Sequence, residues 1–370
     1  MIDIVADAVL FSFVLFFVIS GLTVNLIQAI CFVVIRPLSK NIHRRINGVV
    51  AELLWLEVGW LFDWWAGVEV QVYTDKTTMA GLMSKENAIV ISNNITNIDF
   101  ISVLARRSGS SSLVVCGKLL KFFPVIGWAM WFSENIFVES NYYGSADQGQ
   151  ALAALHGIKD FPWPIWLRLF PQETENGEVM TEVFVSAVKH MRSFVPAVYD
   201  VTVAFPESCS NPPPTAVGLV HERLRQRQPY VVHVHIKRHD LRNLPWHNGR
   251  VAKWCEHVFV AKNALLDHHR AHQTFGDKVQ LLETCSGKRR PLKSLLVVTC
   301  WALVFVFWTI KFPLLSLLVL LIASSCVALI LELHRLASVL LNLTAFLLRR
   351  AFGSQVTPLL LVTAAYFILP

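Results

Sequence analysis

The amino-acid sequence predicts an α/β domain held between an N-terminal membrane helix and a C-terminal membrane hairpin. Three observations carry that expectation: an uncharged run over residues 8–35, further apolar runs after Lys293, and between them short β-branched segments separated by helical patterns. Composition agrees with it. Of the 370 residues, 54% are hydrophobic and 16% charged, whereas a water-soluble domain carries about 25% charged residues.

At about 1.5 Å per residue, the first run is longer than a hydrocarbon core of about 30 Å and crosses it with tilt. A secretory signal would place basic residues first and hold an apolar stretch of about 7 to 15 residues. Here Asp3 and Asp7 come first, and Arg36, Lys40, Arg44 and Arg45 follow. Basic residues gather on the cytosolic side of a membrane, so the chain after the run is expected in the cytosol. Trp55, Trp60, Trp64 and Trp65 come next. Tryptophans close behind a basic cluster suit a membrane interface, with core packing as the alternative.

The expected organisation is an anchor with its basic flank at 1–45, an α/β domain at 46–290 and an apolar, transmembrane region at 291–370. Within the domain, apolar or β-branched runs predict strands at 88–92, 165–170, 201–205 and 230–236, and helical patterns lie at 97–107 and 251–269. The prolines at 212–214 mark a loop. Lys288, Arg289, Arg290 and Lys293 then precede an apolar run at 294–310, and a second run at 312–331 is expected to return as the other arm of a hairpin. Two further apolar stretches, 336–348 and 359–369, are too short to span alone and suit packed or interfacial segments.

The net charge of +7 is compatible with an anionic membrane surface or an anionic substrate. Nucleic acid is not expected as a partner, because the basic residues flank apolar spans instead of forming a compact patch. The seven cysteines are scattered, with no Cys-x-x-Cys pair and no Cys/His spacing for zinc. They are expected to be reduced and structural, with no metal and no cofactor.

Chemistry concentrates after the first expected strand, in Asn93-Asn94-Ile95-Thr96-Asn97-Ile98-Asp99. Read alone, this is a strand entering a polar turn with a helix cap at Thr96 or Asn97. Several other blocks accompany it: Arg44-Arg45-Ile46-Asn47, Phe123-Pro124-Val125-Ile126-Gly127-Trp128, Phe194-Val195-Pro196-Ala197-Val198-Tyr199-Asp200 and Phe259-Val260-Ala261-Lys262. In this order they resemble the plant 1-acylglycerol-3-phosphate acyltransferases of the glycerolipid acyltransferase family over almost the whole chain.

The resemblance implies a glycerolipid-acyltransferase-like domain and a particular chemistry. In that family a His five residues before an Asp is the general base on the free hydroxyl of a lysophospholipid. The Asp orients it, and the activated oxygen attacks the thioester of acyl-CoA. Here Asn94 occupies the position of the base and Asp99 that of the orienting acid. An amide donates and accepts hydrogen bonds but takes up no proton near neutral pH.

Two headgroup-binding blocks are altered as well. In Phe137-Val138-Glu139-Ser140, Ser140 stands where the family has Arg. Gln172-Glu173-Thr174-Glu175 aligns with a Glu-Gly-Thr-Arg strand end, so Glu175 replaces a phosphate-clamping Arg. Val195-Pro196 matches a turn that helps shape the acyl or substrate pocket.

The implied function is membrane-bound acyl transfer from acyl-CoA to lysophosphatidic acid or another lysolipid, giving phosphatidic acid in phospholipid biosynthesis. Conventional activity is expected to be weak or absent. The alternative is a non-catalytic lipid- or acyl-CoA-binding, regulatory member. The resemblance also implies a multi-pass protein of the endoplasmic reticulum membrane. His233 and His235 share one strand face and are the next candidates for a base, with ordinary half-buried histidines as the other reading, extended to His239, His268 and His269. Lys118, Lys121, Lys237 and Arg238 are read either as phosphate contacts or as cations near anionic lipid.

Overall fold

The computed structural model describes residues 2–61, 64, 69–75, 77–78, 86–93, 111–138, 155, 157–170, 181–205, 231–275, 281–284, 292–314, 316–317, 321 and 324–325. The chain divides into two compact units, Met1–Ala6 with Gly21–Val298, and Asp7–Ser20 with Thr299–Pro370.

The first unit takes in the second half of helix α1, Ile2–Val34. Helix α2, Lys40–Trp60, follows, capped by the Ser39 hydroxyl accepting from the Ile42 N–H. Then come β1 (Glu69–Thr74), β2 (Ala88–Ser92), β3 (Ser111–Gly117), a 3-10 turn (Lys118–Phe122), α3 (Ile126–Phe132), β4 (Ile136–Val138) and β5 (Ile165–Leu169). The remainder is α4 (Glu182–Met191), β6 (Ala197–Ala204), β7 (Val231–Asp240), α5 (Asn248–His272) and β8 (Leu281–Thr284).

Among the described residues the strands form one eight-stranded sheet in the order β4-β3-β5-β2-β6-β7-β1-β8. Strands β2 to β6 run parallel; β7 is antiparallel to β6, β1 parallel to β7, and β8 antiparallel to β1. Parallel strands buried on both faces read as unbroken apolar runs, and β2, Ala-Ile-Val-Ile-Ser, is buried along its whole length. On one face Ile89, Ile91, Leu167 and Val198 pack under α4 and α5. On the other, Val90, Trp166, Tyr199 and Val234 form a second layer.

The strands expected at 88–92 and 165–170 are β2 and β5. The one expected at 201–205 is the last half of a longer β6, and the one at 230–236 continues to Asp240. The helix expected at 251–269 is α5, three residues longer at each end. The helix expected at 97–107, the prolines at 212–214 and the short stretches at 336–348 and 359–369 lie outside the described residues.

Residues 21–34 of α1 are turned inside out. Val24, Asn25, Gln28 and Cys31 are buried, while Leu26 is 61% and Val33 71% exposed. The Asn25 amide donates to the Val125 carbonyl at 3.1 Å and the Gln28 amide to Asn47 Oδ1 at 2.9 Å. A helix on a water-soluble body faces its apolar stripe inward; this one hides its amides and presents leucine and valine. Gly21 permits the close approach, since a Cβ there would lie 2.3 Å from a Val125 methyl.

Among the described residues, two helices are long and apolar enough to cross a membrane, over Phe11–Val34 and, as α6, over Leu292–Lys311. In the second unit Phe16 meets Phe305 edge to face with ring centroids 5.3 Å apart. Most of the expected return arm at 312–331 lies outside the described residues. Trp55 and Trp60 are half-buried on α2 and Trp64 just beyond it; Trp65 is not among the described residues.

Candidate active site

Parallel strands open their functional edge at their carboxyl ends, and here that edge is built at the ends of β2 and β6. The two pair from Ala88 with Ala197 to Ser92 with Val201. Asn93 then carries the ladder one step further with its side chain. Its Oδ1 accepts from the Val203 N–H and its Nδ2 donates to the Val203 carbonyl, both at 2.9 Å. An amide carries one acceptor and one donor group, the same pair a strand residue offers. Asn94 is therefore the first residue after a pinned strand end.

The same strand ends are held from the helix side. Helix α5 turns Val251, Cys255, Phe259 and Lys262 onto the sheet as one stripe. Lys262 is buried, with Nζ 2.7 Å from Asp200 Oδ1, 2.8 Å from the Val201 carbonyl and 3.3 Å from the Ile91 carbonyl. The ammonium donates to the two carbonyls and forms an ion pair with Asp200. Burying such a pair is costly in desolvation, and the two carbonyl hydrogen bonds and the ion pair offset that cost. The result is a rigid join of β2, β6 and α5 directly below Asn93.

A further polar stripe lies on the same face. Alternation along β7 puts His233, His235 and His239 together, as expected for the first two. His233 Nδ1 lies 2.8 Å from His269 Nε2 of α5, both rings buried and edge to face beside Phe275. Burial, reinforced by the neighbouring His233 and His268, lowers His269 to about 4, and burial also lowers His233 and His235. The pair is neutral around pH 7, with one ring donating to the other. The contact fits the reading of His233 as an ordinary buried histidine.

Arg238 is likewise committed. Its guanidinium grips both oxygens of Glu86 at 2.7 and 2.9 Å, and Glu86 also accepts from the Tyr199 hydroxyl. Its guanidinium is thus held within the protein by Glu86. Lys121 stands over the Trp131 ring at 5.2 Å, and Lys118 and Lys237 are exposed.

Of the residues singled out from sequence, Asn94, Asp99, Ser140, Gln172, Glu173, Thr174 and Glu175 lie outside the described residues. Val195 and Pro196 are described, and they sit at the other end of β6. The Val195 N–H donates to Met191 and the Pro196 carbonyl accepts from the Leu241 N–H at 2.8 Å. Val195 packs in the core with Phe184, Met191 and Leu241. From Pro196 to Val203, the partner of Asn93, the chain advances about 23 Å at about 3.3 Å per residue, so the structure does not bring the pair to Asn93.

Sequence reasoning missed what several blocks do. Arg44 of α2 is buried, pairs with Glu134 at 2.7 Å, donates to the Gly157 and Asp160 carbonyls at 3.0 and 3.1 Å, and lies 4.0 Å from the Phe161 ring centre. Asn47 donates to the Phe132 carbonyl at 2.8 Å. Gly127 sits where a Cβ would lie 1.9 Å from the Leu120 carbonyl oxygen, so no side chain fits there. Asp200 and Lys262, from two different blocks, are partners.

Residues 223–301 match the family model described as Acyltransferase C-terminus, a stretch that carries β7 and α5 and hence the His233–His269 contact and Lys262.

The chain is 46% identical over 335 residues to 1-acyl-sn-glycerol-3-phosphate acyltransferase 2 of Brassica oleracea, covering 83% of this chain and 82% of that one. It is 37% identical over 322 residues to 1-acyl-sn-glycerol-3-phosphate acyltransferase 3 of Arabidopsis thaliana, covering 80% and 82%. A solved structure, the 1-acyl-sn-glycerophosphate (LPA) acyltransferase PlsC from Thermotoga maritima, gives a TM-score of 0.40 at 16% identity, covering 72% of this chain and 98% of that one. This chain belongs to the 1-acyl-sn-glycerol-3-phosphate acyltransferase family.

Proposed function

We propose that this chain is a membrane-bound family member that takes a lysolipid and acyl-CoA at the carboxyl ends of β2 and β6 but lacks the general base of conventional acyl transfer. One observation carries the reading: Asn94 stands where the family has its His. A positioned base is worth about 10²- to 10⁴-fold in rate, so turnover falls by that order relative to a His-bearing relative. The strand end that would carry the base is intact, pinned by Asn93 and Lys262. That combination also supports the second reading, a lipid- or acyl-CoA-binding member without turnover.

The altered headgroup blocks shift the ligand as well. Ser140 has no charge to offer a phosphate, and Glu173 and Glu175 repel one. A neutral lysolipid therefore binds more tightly than lysophosphatidic acid. The inside-out α1 supports anchoring in lipid. The basic flanks at Arg36–Arg45 and Lys288–Lys293 support residues 36–293 facing the cytosol, on the endoplasmic reticulum by the family resemblance.

The test is transfer from radiolabelled acyl-CoA to lysophosphatidic acid and to a neutral lysolipid, with the Brassica relative measured alongside. The expected result is turnover at least about 100-fold below the relative. Equal turnover on lysophosphatidic acid overturns the proposal. Binding titrations of the same lysolipids then separate a slow enzyme from a binding protein.

A further inference from the structure

The turn after β3 is more apolar on its surface than a cytosolic loop allows. Phe122 is 72%, Phe123 45% and Trp128 42% exposed, with Ile126 and Trp131 also outward. Scattered single hydrophobics on a surface are ordinary, but here five large ones fall within ten residues of chain.

Their location gives the cluster a meaning. Helix α3 runs beside the inside-out half of α1. At one end Val125 accepts from Asn25 and packs against Gly21. At the other, Trp131 and Phe132 lie against Phe32, with ring centroids 5.3 and 5.8 Å away. From Asn25 to Phe32 the helix rises about 10 Å at about 1.5 Å per residue. The Phe123–Ile126 end of the turn is thus about 10 Å further from the basic flank of α1 than Trp131 is.

Charges are placed to match. Arg36, Lys40 and Arg45 are exposed near the Phe32 end, Arg36 resting on the Phe32 ring at 4.5 Å. Lys121 reaches back over Trp131, as a long cationic side chain does when its head seeks the headgroup layer. Trp131 and the cations lie at one level, and Phe122, Phe123 and Ile126 lie deeper with Trp128 between, the order of a membrane interface.

We infer that residues 122–131 are a lipid-inserted wedge, a second membrane element that enters the acyl-chain layer beside α1. This rests on the proposed anchoring of α1 in a bilayer. The occupant of the surface is the acyl-chain region of the leaflet, not another protein. The wedge follows the carboxyl end of β3, the same edge of the sheet as Asn93. It therefore seats the site's edge on the leaflet, and a lysolipid reaches that edge by lateral movement, keeping its chain in lipid.

Photocrosslinking of the full-length chain in phosphatidylcholine–phosphatidic acid vesicles tests this. The photoreactive residue p-benzoylphenylalanine replaces Leu26, Phe123 or Trp246 in separate preparations, and lipid adducts are counted by mass spectrometry. Leu26 reports the anchor. Trp246 is 82% exposed but lies at the opposite edge of the sheet, where Arg192 stacks on it. The expected result is adducts at Leu26 and Phe123, each about tenfold above Trp246, as for side chains within the acyl boundary. Adducts at Leu26 with only the Trp246 level at Phe123 overturn the wedge alone. The Trp246 level at both positions overturns the anchoring and the wedge with it. Crosslinks from Phe123 to a second protein chain in place of lipid also overturn it.

Discussion

At its first residues β6 is walled by Val195, Met191 and Leu241, all buried and apolar; at its last it is crossed by Asn93, Lys262 and the His233–His269 contact. The two ends belong to one strand and one core, yet they are stabilised in opposite ways. Apolar packing tolerates small errors of position, losing about 0.8 kcal/mol per buried methylene removed. A buried ammonium or amide tolerates none, because each unmet group carries its full desolvation penalty. The polar end is therefore the positionally exact one, and it is the end from which Asn94 departs.

The comparison breaks most readily at Lys262. Lys262→Ala leaves the Asp200 carboxylate buried without its partner and should destabilise the chain by about 3–5 kcal/mol. Val195→Ala, at the apolar end, should cost only about 1–2 kcal/mol. Denaturant melts in detergent micelles measure both, and equal losses would mean that the two ends do not differ. Replacing both partners, as Lys262→Met with Asp200→Leu, should recover much of the stability, though not the join to the Ile91 and Val201 carbonyls.

A smaller effect is expected at Asn93. Asn93→Ala removes two hydrogen bonds and bares the Val203 peptide, costing about 1–3 kcal/mol. Asn93→Asp keeps the acceptor for the Val203 N–H but sets a carboxylate oxygen against the Val203 carbonyl in place of the donor. Hydrogen exchange at Val203 should accelerate in the first variant and stay slow in the second.

The gentlest probe is pH. His269 binds its proton far less readily folded than unfolded, about 4 against an ordinary 6.5. The unfolded chain thus takes up more protons between those values. The stabilising neutral form is fully present above pH 6.5 and is lost as pH falls toward 4. His269→Leu should flatten stability over that window, and melts at successive pH values would show it. An unchanged slope would place the pair in water.

How much of this was legible in the residues depends on which signal each element uses. Strand β2 is plain because an unbroken apolar run needs burial on both faces. Strand β1 is not, since Glu69 and Gln71 alternate with Val70 and Val72 and dilute the apolar signal. Strand β3 opens on Ser111-Ser112 after a Ser/Gly stretch, so its local residues read as a loop and only pairing with β5 makes it a strand.

Lys262 escapes for a different reason: a lysine on a helix is ordinarily solvated. Its place on the stripe of Val251, Cys255 and Phe259 was the available signal. Asn93 reads as a turn residue, because its two bonds to Val203 cross more than a hundred positions of sequence. The identities of Asn94, Ser140 and Glu175 acquire chemical meaning only beside the family pattern.

The central claim is that the scaffold is kept while the base and the phosphate clamp are lost, and a repair series tests it most directly. Acyl transfer to lysophosphatidic acid is measured for the unmodified chain, Asn94→His, the clamp repair (Ser140→Arg with Glu173→Gly and Glu175→Arg), and all four changes together. Restoring the imidazole beside Asp99 leaves the phosphate unheld, and positioning contributes to the barrier on a scale comparable with proton transfer. The account predicts little turnover for either partial repair and a combined gain larger than the product of the separate gains. Robust turnover by the unmodified protein at neutral pH, abolished by Asp99→Ala, would contradict it.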